Sequence, residues 1–148
     1  MEHTILVVDD EPANLRMIER ALRKRFKIIQ ASSAEQALRI LEKQTVSLIL
    51  TDQRMPGLSG TELLRQSRAQ HPDAVRMVVT AQSDPATFIE AIRNAGAVRV
   101  ITKPWDPDKL IEIVSQALEK LEVMMETRQS LSQLREANLA LDKIARQP

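Results

Sequence analysis

Apolar and polar residues alternate along most of this chain in two kinds of block. Short continuous runs rich in Val, Ile and Leu are typical of strands that are covered on both faces. Longer blocks with apolar residues three or four positions apart are typical of helices with one buried face. The two kinds of block follow each other five times. They predict strands over residues 4–10, 26–31, 46–52, 74–81 and 97–102.

Residues that favour helix ends mark the boundaries of the predicted helices. Pro12 suits a first helical turn, and Ser32 and Glu35 have the spacing of a capping box. Asp84 caps a later helix, which Gly96 ends. The predicted helices cover residues 12–25, 32–43, 60–70 and 84–96, and a fifth starts near residue 106.

The regular alternation of strands and helices predicts the fold class. Strands joined through a helix are parallel, and their crossovers are right-handed almost without exception. A sheet whose strands are apolar on both faces needs helices on both sides. The sequence therefore predicts an α/β, doubly wound, flavodoxin-like fold, in which a five-stranded parallel sheet has the common order 2-1-3-4-5. The last helix is predicted to be longer than the other four.

Polar residues follow four of the five predicted strands. In chain order they are Asp9 and Asp10, Asp52, Thr80, and Lys103. The carboxyl ends of parallel strands share one edge of the sheet, and strands 1 and 3 of this order are neighbours where ligands bind. Three carboxylates so close repel each other unless a cation joins them. Mg²⁺ is the expected cation, because it prefers oxygen ligands.

Three carboxylates, a metal ion, a hydroxyl and an ammonium group suit phosphoryl transfer. A carboxylate can attack phosphorus and form an acyl phosphate. The metal and the lysine neutralise the phosphoryl oxygens, and the hydroxyl donates a hydrogen bond to one of them. Asp52 is the predicted nucleophile, because it lies between the acid pair and the residues Thr80 and Lys103. Taken singly, the Asp pair could be a turn and a helix cap, Thr80 a strand residue and Lys103 a loop lysine. These interpretations do not explain why all of these residues are predicted at the same edge of the sheet.

Composition narrows the partners that we expect. The 148 residues include 21 Lys and Arg against 20 Asp and Glu, so no large basic surface for nucleic acid is predicted. The absence of Cys excludes disulfides and thiol chemistry and fits a reducing compartment. No apolar run is long enough to span a bilayer, and the acidic N-terminal segment is unlike a signal peptide. We expect a cytoplasmic protein without direct contacts to nucleic acid or membrane.

Four short motifs carry a resemblance to a known family. They are VVDD, TDQRMPGLSG, VVTA and TKPW, at residues 7–10, 51–60, 78–81 and 102–105. In their order and spacing, the chain over about residues 4–118 resembles the receiver domain of two-component response regulators. The resemblance implies that a sensor histidine kinase or a phosphotransfer protein phosphorylates Asp52. It also implies that the domain is no enzyme beyond catalysing its own phosphorylation and dephosphorylation.

The resemblance further implies a set of site residues. Mg²⁺ is bound by Asp10, Asp52 and the backbone carbonyl of Arg54, with Asp9 acting largely through water. Thr80 and Lys103 contact the phosphoryl group, and the Lys103–Pro104 bond is cis. One position departs from the family pattern: Val100 stands three residues before Lys103, where the family usually has Tyr or Phe. This departure puts the aromatic part of the family's switch in doubt.

Two other functions remain as alternatives. A degenerate receiver that serves mainly for dimerisation is favoured by Val100 and opposed by the complete acid set. A phosphatase of the haloacid-dehalogenase type also uses Asp, Thr and Lys. That family places its nucleophile on the first strand with a second Asp two residues later, whereas here Arg54 follows Asp52 at that distance. The order of the residues therefore opposes the phosphatase.

The C-terminal part of the chain is predicted to be one long helix, since residues 108–147 contain neither Pro nor Gly. We divide the chain into a receiver domain (residues 1–118) and a coiled-coil extension (residues 119–148) that does not pack on the receiver after about residue 120. Apolar residues recur at coiled-coil spacing, with a phase shift near Arg128 and a polar core position at Asn138. The seam contains Leu110, Val114, Ala117, Leu121, Met124, Leu131, Leu134 and Leu141.

The long helix is expected to pair with a second copy of the chain, because such a helix alone is marginally stable. A dimerising helix after a receiver usually leads to an output domain. We therefore expect an output domain or partner outside this sequence. The KPW motif resembles receivers joined to HD-type cyclic-dinucleotide phosphodiesterases or to ATPase transcription activators.

Overall fold

A computed structural model describes residues 2–81, 85–97 and 99–146 of the chain. Five strands and five helices alternate along it. The strands are β1 (Thr4–Val8), β2 (Lys27–Ala31), β3 (Leu48–Asp52), β4 (Val75–Ala81) and β5 (Arg99–Lys103). The helices are α1 (Pro12–Leu22), α2 (Ala34–Lys43), α3 (Gly60–Ser67), α4 (Pro85–Arg93) and α5 (Pro107–Ala145).

The strands form one parallel sheet in the order β2-β1-β3-β4-β5, which confirms the predicted topology. Strand β3 lies at the centre, and all five of its residues are buried. In the register of β1 and β3, Val8 pairs with Thr51. The residues that follow this pair, Asp9 and Asp52, therefore leave the sheet side by side.

Helices cover the sheet on both faces, as apolar strands require. One layer of the core joins the sheet to α1 and α5 through residues such as Ile5, Ile18 and Val114. The other joins the sheet to α2, α3 and α4 through residues such as Leu6 and Leu63. Adjacent strand residues point to opposite faces. The continuous apolar runs of the sequence are explained by this two-sided burial.

Several predicted element boundaries differ from the structure by a few residues. Helix α1 ends at Leu22, the last residue of its buried face, and the basic residues 23–25 that follow are exposed. The predicted capping box is wrong by one position. Ser33 is the cap of α2, and its hydroxyl accepts from Gln36 N at 3.0 Å. Asp84, the predicted cap of the fourth helix, lies outside the described residues.

The long last helix is present, and its first half belongs to the domain core. Four residues on one face of α5 are buried: Leu110, Val114, Leu118 and Leu121. The sequence analysis placed three of them in a coiled-coil seam. The structure instead packs them against the sheet and α1, because these surfaces need an apolar cover.

Contacts between α5 and the domain continue beyond the expected limit near residue 120. Glu122 accepts a hydrogen bond from Nε2 of the buried His3 at 2.6 Å, and Nδ1 of the same ring lies 2.9 Å from the Ser47 hydroxyl. Further along, the Arg128 guanidinium lies 2.7 Å from the Asp73 carboxylate. The expectation that residues after about 120 leave the domain was therefore wrong. The described residues from 129 onwards are exposed.

Among the residues that the structure describes, no helix combines the length and the apolar character needed to cross a membrane. Helix α5 is long enough, with 39 residues, but charged residues are spread along it.

Candidate functional site

Asp52 is the last residue of the central strand, and its position is fixed by the sheet. It pairs in register with Val79 of β4, and 7% of its surface is exposed. The Thr51 hydroxyl donates to the Asp52 carbonyl at 2.9 Å. A carboxylate at this place faces the edge of the sheet from a rigid backbone. Such support favours a functional group over a simple strand end.

Two further carboxylates lie beside Asp52, as the sequence predicted. Ligand oxygens of Asp9, Asp10 and Asp52 all lie within 4.8 Å of one another. Asp9 and Asp52 are buried, and Asp10 is exposed. The side chain of Asp9 is oriented by the backbone N–H of Glu11, which donates to it at 2.9 Å.

The environment of Asp9 disfavours its negative charge. Burial raises the pKa of this carboxyl above its ordinary value, and the neighbouring charge of Asp52 raises it further. The hydrogen bond from Glu11 and the positive charge of Lys103 lower the pKa, but they do not outweigh the burial. The cluster thus holds negative charge that a bound cation would stabilise.

Lys103 supplies a positive charge from the edge of β5. Its Nζ lies 2.8 Å from Oδ1 of Asp52, and its peptide bond to Pro104 is cis. Partial burial would lower the pKa of Lys103, but the hydrogen bond and the charge of Asp52, together with the charges of Asp9 and Glu11, raise it overall. Lys103 therefore remains cationic at neutral pH, directly beside the carboxylate predicted to be the nucleophile.

A cavity of about 430 Å³ opens beside these groups. Asp9, Asp52 and Lys103 line its polar part. Met17 of α1 and Trp105, which follows the cis bond, line its apolar part. The predicted nucleophile is therefore reached through a cavity with an acidic floor and an apolar rim.

Thr80, Arg54 and Val100, which the sequence analysis also singled out, do not line this cavity. Thr80 is buried at the end of β4, one residue beyond the partner of Asp52. Arg54 is exposed in the loop that follows β3. Val100 is partly buried in β5, where it pairs with Val78 and packs against the side of the sheet covered by α4. The structure thus joins Lys103 directly to Asp52 and places Thr80 on the adjacent strand.

Residues 53–59, which connect Asp52 to α3, are held by side chains to which the sequence analysis gave no role in this loop. Oε1 of Glu35 accepts from the backbone N–H of Leu58 at 3.1 Å, and Gly57 has a φ of 82°, which favours glycine. Gln53 and Thr61 form two further hydrogen bonds between the ends of this loop. Single polar residues in a loop give no periodic signal, so the pattern could not predict these partners.

The residues at this edge fit a Mg²⁺ ion. Three carboxylates offer the hard oxygen ligands that the ion prefers, and the exposed position of Asp10 leaves room for water, which Mg²⁺ usually keeps. Lys103 alone does not balance three negative charges. Asp9, Asp10 and Asp52 are the side chains that would hold the ion, and the Arg54 carbonyl stays a prediction from the resemblance.

The fold and the site together define a doubly wound α/β domain with an acidic binding site at the switch point between β1 and β3. The family model of the response regulator receiver domain matches residues 5–115. The chain belongs to this family.

Relatives and solved structures agree with this assignment. The chain is 44% identical over 116 residues to the hydrogenase transcriptional regulatory protein HoxA of Cupriavidus necator, covering 78% of this chain and 24% of that protein. It is 35% identical over 114 residues to the response regulator protein PilR of Pseudomonas aeruginosa, covering 76% and 25%. A CheY-like receiver domain protein from Methanospirillum hungatei matches with a TM-score of 0.79 at 29% identity, covering 84% of this chain and 99% of that chain. The chain thus spans about a quarter of the length of these two curated relatives.

Proposed function

We propose that this receiver domain is a phosphorylation-controlled switch that accepts a phosphoryl group on Asp52 from a sensor histidine kinase or a phosphotransfer protein. The observation that carries the proposal is the buried Asp52 carboxylate, which lies 2.8 Å from the Lys103 ammonium and beside two further carboxylates. Phosphoryl transfer needs such a nucleophile with positive charge nearby.

The transfer step uses groups that this chain supplies. A carboxylate oxygen of Asp52 attacks the phosphorus of the donor phosphohistidine, the P–N bond breaks, and the imidazole leaves with its electron pair and takes up a proton. Lys103 then stabilises the charge of the phosphoryl oxygens, and Thr80 can donate a hydrogen bond to one of them from the adjacent strand. When bound, Mg²⁺ supplies further positive charge against these oxygens.

The domain is a substrate of its kinase, and it catalyses only its own phosphorylation and dephosphorylation. The apolar rim of the cavity, with Met17 of α1 and Trp105, supports a role as the contact surface for the protein that carries the phosphohistidine. The nearly balanced charge of the chain supports a protein partner over nucleic acid.

The signal leaves the domain through α5, which we propose pairs in parallel with the α5 of a second copy. The pairing of Arg128 with Asp73 supports a seam that passes through Thr127 instead of Arg128. It then repeats every three or four residues without the phase shift expected from the sequence. The seam contains Met124, Thr127, Leu131, Leu134, Asn138, Leu141 and Ala145.

The relatives support an output domain beyond the helix pair. HoxA and PilR are bacterial proteins, and the first is described as a transcriptional regulator. We propose that the present chain likewise belongs to a bacterial, cytoplasmic signalling protein whose output responds to phosphorylation at Asp52.

Intact mass spectrometry tests the proposal. The chain is incubated with acetyl phosphate and Mg²⁺, and we expect the mass of the wild type to rise by one phosphoryl group. Asp52→Asn, which keeps the shape of the side chain but removes its nucleophilic oxygen, abolishes the rise. Asp73→Asn, a carboxylate at the opposite end of β4, serves as the control and is phosphorylated like the wild type. An unchanged wild-type mass would contradict the proposal that the domain is a phosphorylation-controlled switch. The alternative of a degenerate receiver that serves mainly for dimerisation would then remain.

A further inference from the structure

Gln53 directly follows the proposed phosphoacceptor and is buried, with 8% of its surface exposed. A buried amide side chain is costly unless its polar atoms are paired. Here both ends of the amide bind one residue: Oε1 accepts from Thr61 N at 2.9 Å, and Nε2 donates to the Thr61 hydroxyl at 3.1 Å. The two residues are eight positions apart and close the loop between β3 and α3.

The backbone of Gln53 is fixed as firmly as its side chain. Its N–H donates to the Val79 carbonyl of β4 at 3.0 Å, and its own carbonyl accepts from Gly60 N at 3.0 Å. Three hydrogen bonds therefore join the two ends of the loop, and a fourth attaches Gln53 to the sheet.

The loop returns directly over the Asp52 peptide. A Cβ atom added to Gly60 would lie 2.3 Å from the Asp52 carbonyl oxygen, so only glycine allows this approach. The Thr61 backbone is thereby held close behind the phosphoacceptor. Arg54, whose carbonyl belongs to the proposed metal ligands, is the next residue along this fixed backbone.

The geometry points to Gln53 and Thr61 as a positioning pair for the phosphorylation site, an inference that rests on the proposed function of Asp52. The pair holds the loop so that the Arg54 carbonyl and the Asp52 carboxylate keep one relative position. Residues that support metal ligands in this way change metal affinity when they are replaced, by about 10–100-fold in known sites.

A purely structural role would look different. Gln53 also provides acceptors for the N–H groups of Gly60 and Thr61 in the first turn of α3, which stabilises the helix. If this were its whole contribution, replacement would lower the free energy of unfolding and leave the Mg²⁺ affinity of the folded protein unchanged. The two roles are separated by measuring both quantities on the same variants.

The test uses the full chain with two replacements of similar shape. Gln53→Met removes both polar atoms of the amide, and Thr61→Val removes the hydroxyl but keeps the backbone N–H that donates to Oε1. Mg²⁺ affinity is measured by calorimetric titration, the Mg²⁺ concentration for half-maximal phosphorylation by acetyl phosphate is measured separately, and stability is measured by urea unfolding. We expect both variants to need about tenfold more Mg²⁺ in each assay. Thr61→Ser keeps the hydroxyl and stays within about twofold of the wild type.

Ser67→Ala is the matched control. Ser67 is buried at the far end of the same helix, where its hydroxyl donates to the Leu64 carbonyl at 2.7 Å. We expect this variant to lose stability without a change in Mg²⁺ affinity. If Gln53→Met does not fold, the Mg²⁺ affinity of Thr61→Val alone tests the inference. Unchanged Mg²⁺ affinity in folded variants overturns the inference. Failure of the proposed function is distinguishable, because the wild type then binds Mg²⁺ in the calorimeter but gains no phosphoryl mass.

Discussion

Asp9 lowers the stability of the metal-free protein, although its carboxylate is one of the groups that would bind the metal ion. Because burial and the charge of Asp52 raise its pKa, the ionised carboxylate is less favourable in the folded chain than in the unfolded chain. The protonated Asp9 carboxyl makes its full contribution to stability below 3.8, the ordinary pKa of an Asp side chain. This contribution is lost as the pH rises through the higher pKa that Asp9 has in the folded chain. At neutral pH the metal-free protein therefore carries the full destabilisation.

We predict that Asp9→Asn stabilises the metal-free protein at neutral pH. The Asn side chain keeps an oxygen that can accept the hydrogen bond from Glu11, and it removes the charge. Urea unfolding in EDTA should give a higher unfolding free energy for Asp9→Asn than for the wild type. The difference should shrink as the pH is lowered towards 3.8.

Saturating Mg²⁺ should reverse this order, because a ligand that binds more tightly stabilises the folded state more, and the variant has lost a carboxylate. Asp73→Asn, far from the cluster, should show no reversal. A variant that is less stable than the wild type in EDTA would mean that the Asp9 carboxylate is already compensated within the chain.

The acidic residues of the site could be predicted from the sequence because strand ends in a parallel sheet share an edge. Asp9, Asp10 and Asp52 were placed together by that rule alone. The Gln53–Thr61 and Glu35–Leu58 contacts could not be predicted, since loop geometry brings these residues together and no period of the sequence reports it. The capping box of α2 was displaced by one residue for another reason, since Ser32 and Ser33 are adjacent and either serine could cap a helix.

At the scale of elements, α5 shows where sequence periodicity becomes ambiguous. Apolar residues at spacings of three and four occur both in helices that pack on their own domain and in helices that pair with another chain. Leu110, Val114 and Leu121 fit either role, and the structure assigns them to the domain core. The five strands were easier to predict, because each contains a short group of Val, Ile or Leu residues and a predicted helix lies between each strand and the next.

We predict that replacing the last buried residue of α5 destabilises the domain. Leu121 is 4% exposed, so Leu121→Ala should lower the free energy of unfolding by about 2–5 kcal/mol. Leu139→Ala, at a residue that is 59% exposed, should change it by less than about 0.5 kcal/mol. Urea unfolding of both variants at one protein concentration makes the comparison. Equal effects would show that α5 does not pack as described.

Two polar contacts complement this packing where α5 leaves the domain. Nε2 of His3 lies 2.6 Å from the Glu122 carboxylate and Nδ1 lies 2.9 Å from the Ser47 hydroxyl, so both ring nitrogens have a hydrogen-bond partner. Arg128 and Asp73 form a second pair, which is exposed and therefore contributes little to stability. Together they fix the direction in which the free part of the helix points.

At the scale of the whole molecule, the structure changes how dimerisation should be tested. A chain cut after residue 119 would lose Leu121 and damage the core. A cut after Gln129 leaves both polar contacts in place, and all the described residues that it removes, 130–146, are exposed. Light scattering should find the full chain dimeric and the shortened chain monomeric at the same micromolar concentration.

Two leucines of nearly equal exposure provide the matched variants for this prediction. Leu134 lies on the proposed seam and is 60% exposed, whereas Leu139 lies off the seam and is 59% exposed. Leu134→Ala should weaken dimerisation by about tenfold or more, which is roughly 1.4 kcal/mol, and Leu139→Ala should not. If the shortened chain dimerises as well as the full chain, another surface forms the dimer. The exposed residues Phe88, Ile89 and Ile92 of α4 are then the first to examine.

The last buried residue of α5 is Leu121, and the helix continues without a break to Ala145. The last contact of this helix with the domain is the pair of Arg128 and Asp73. At ~1.5 Å per residue, the free part beyond Arg128 is a rod of roughly 26 Å. A tilt of about 5° at its base moves the far end of such a rod by about 2 Å. The far end of α5 therefore moves further than the buried residues at its base, in the way that a lever enlarges a small rotation.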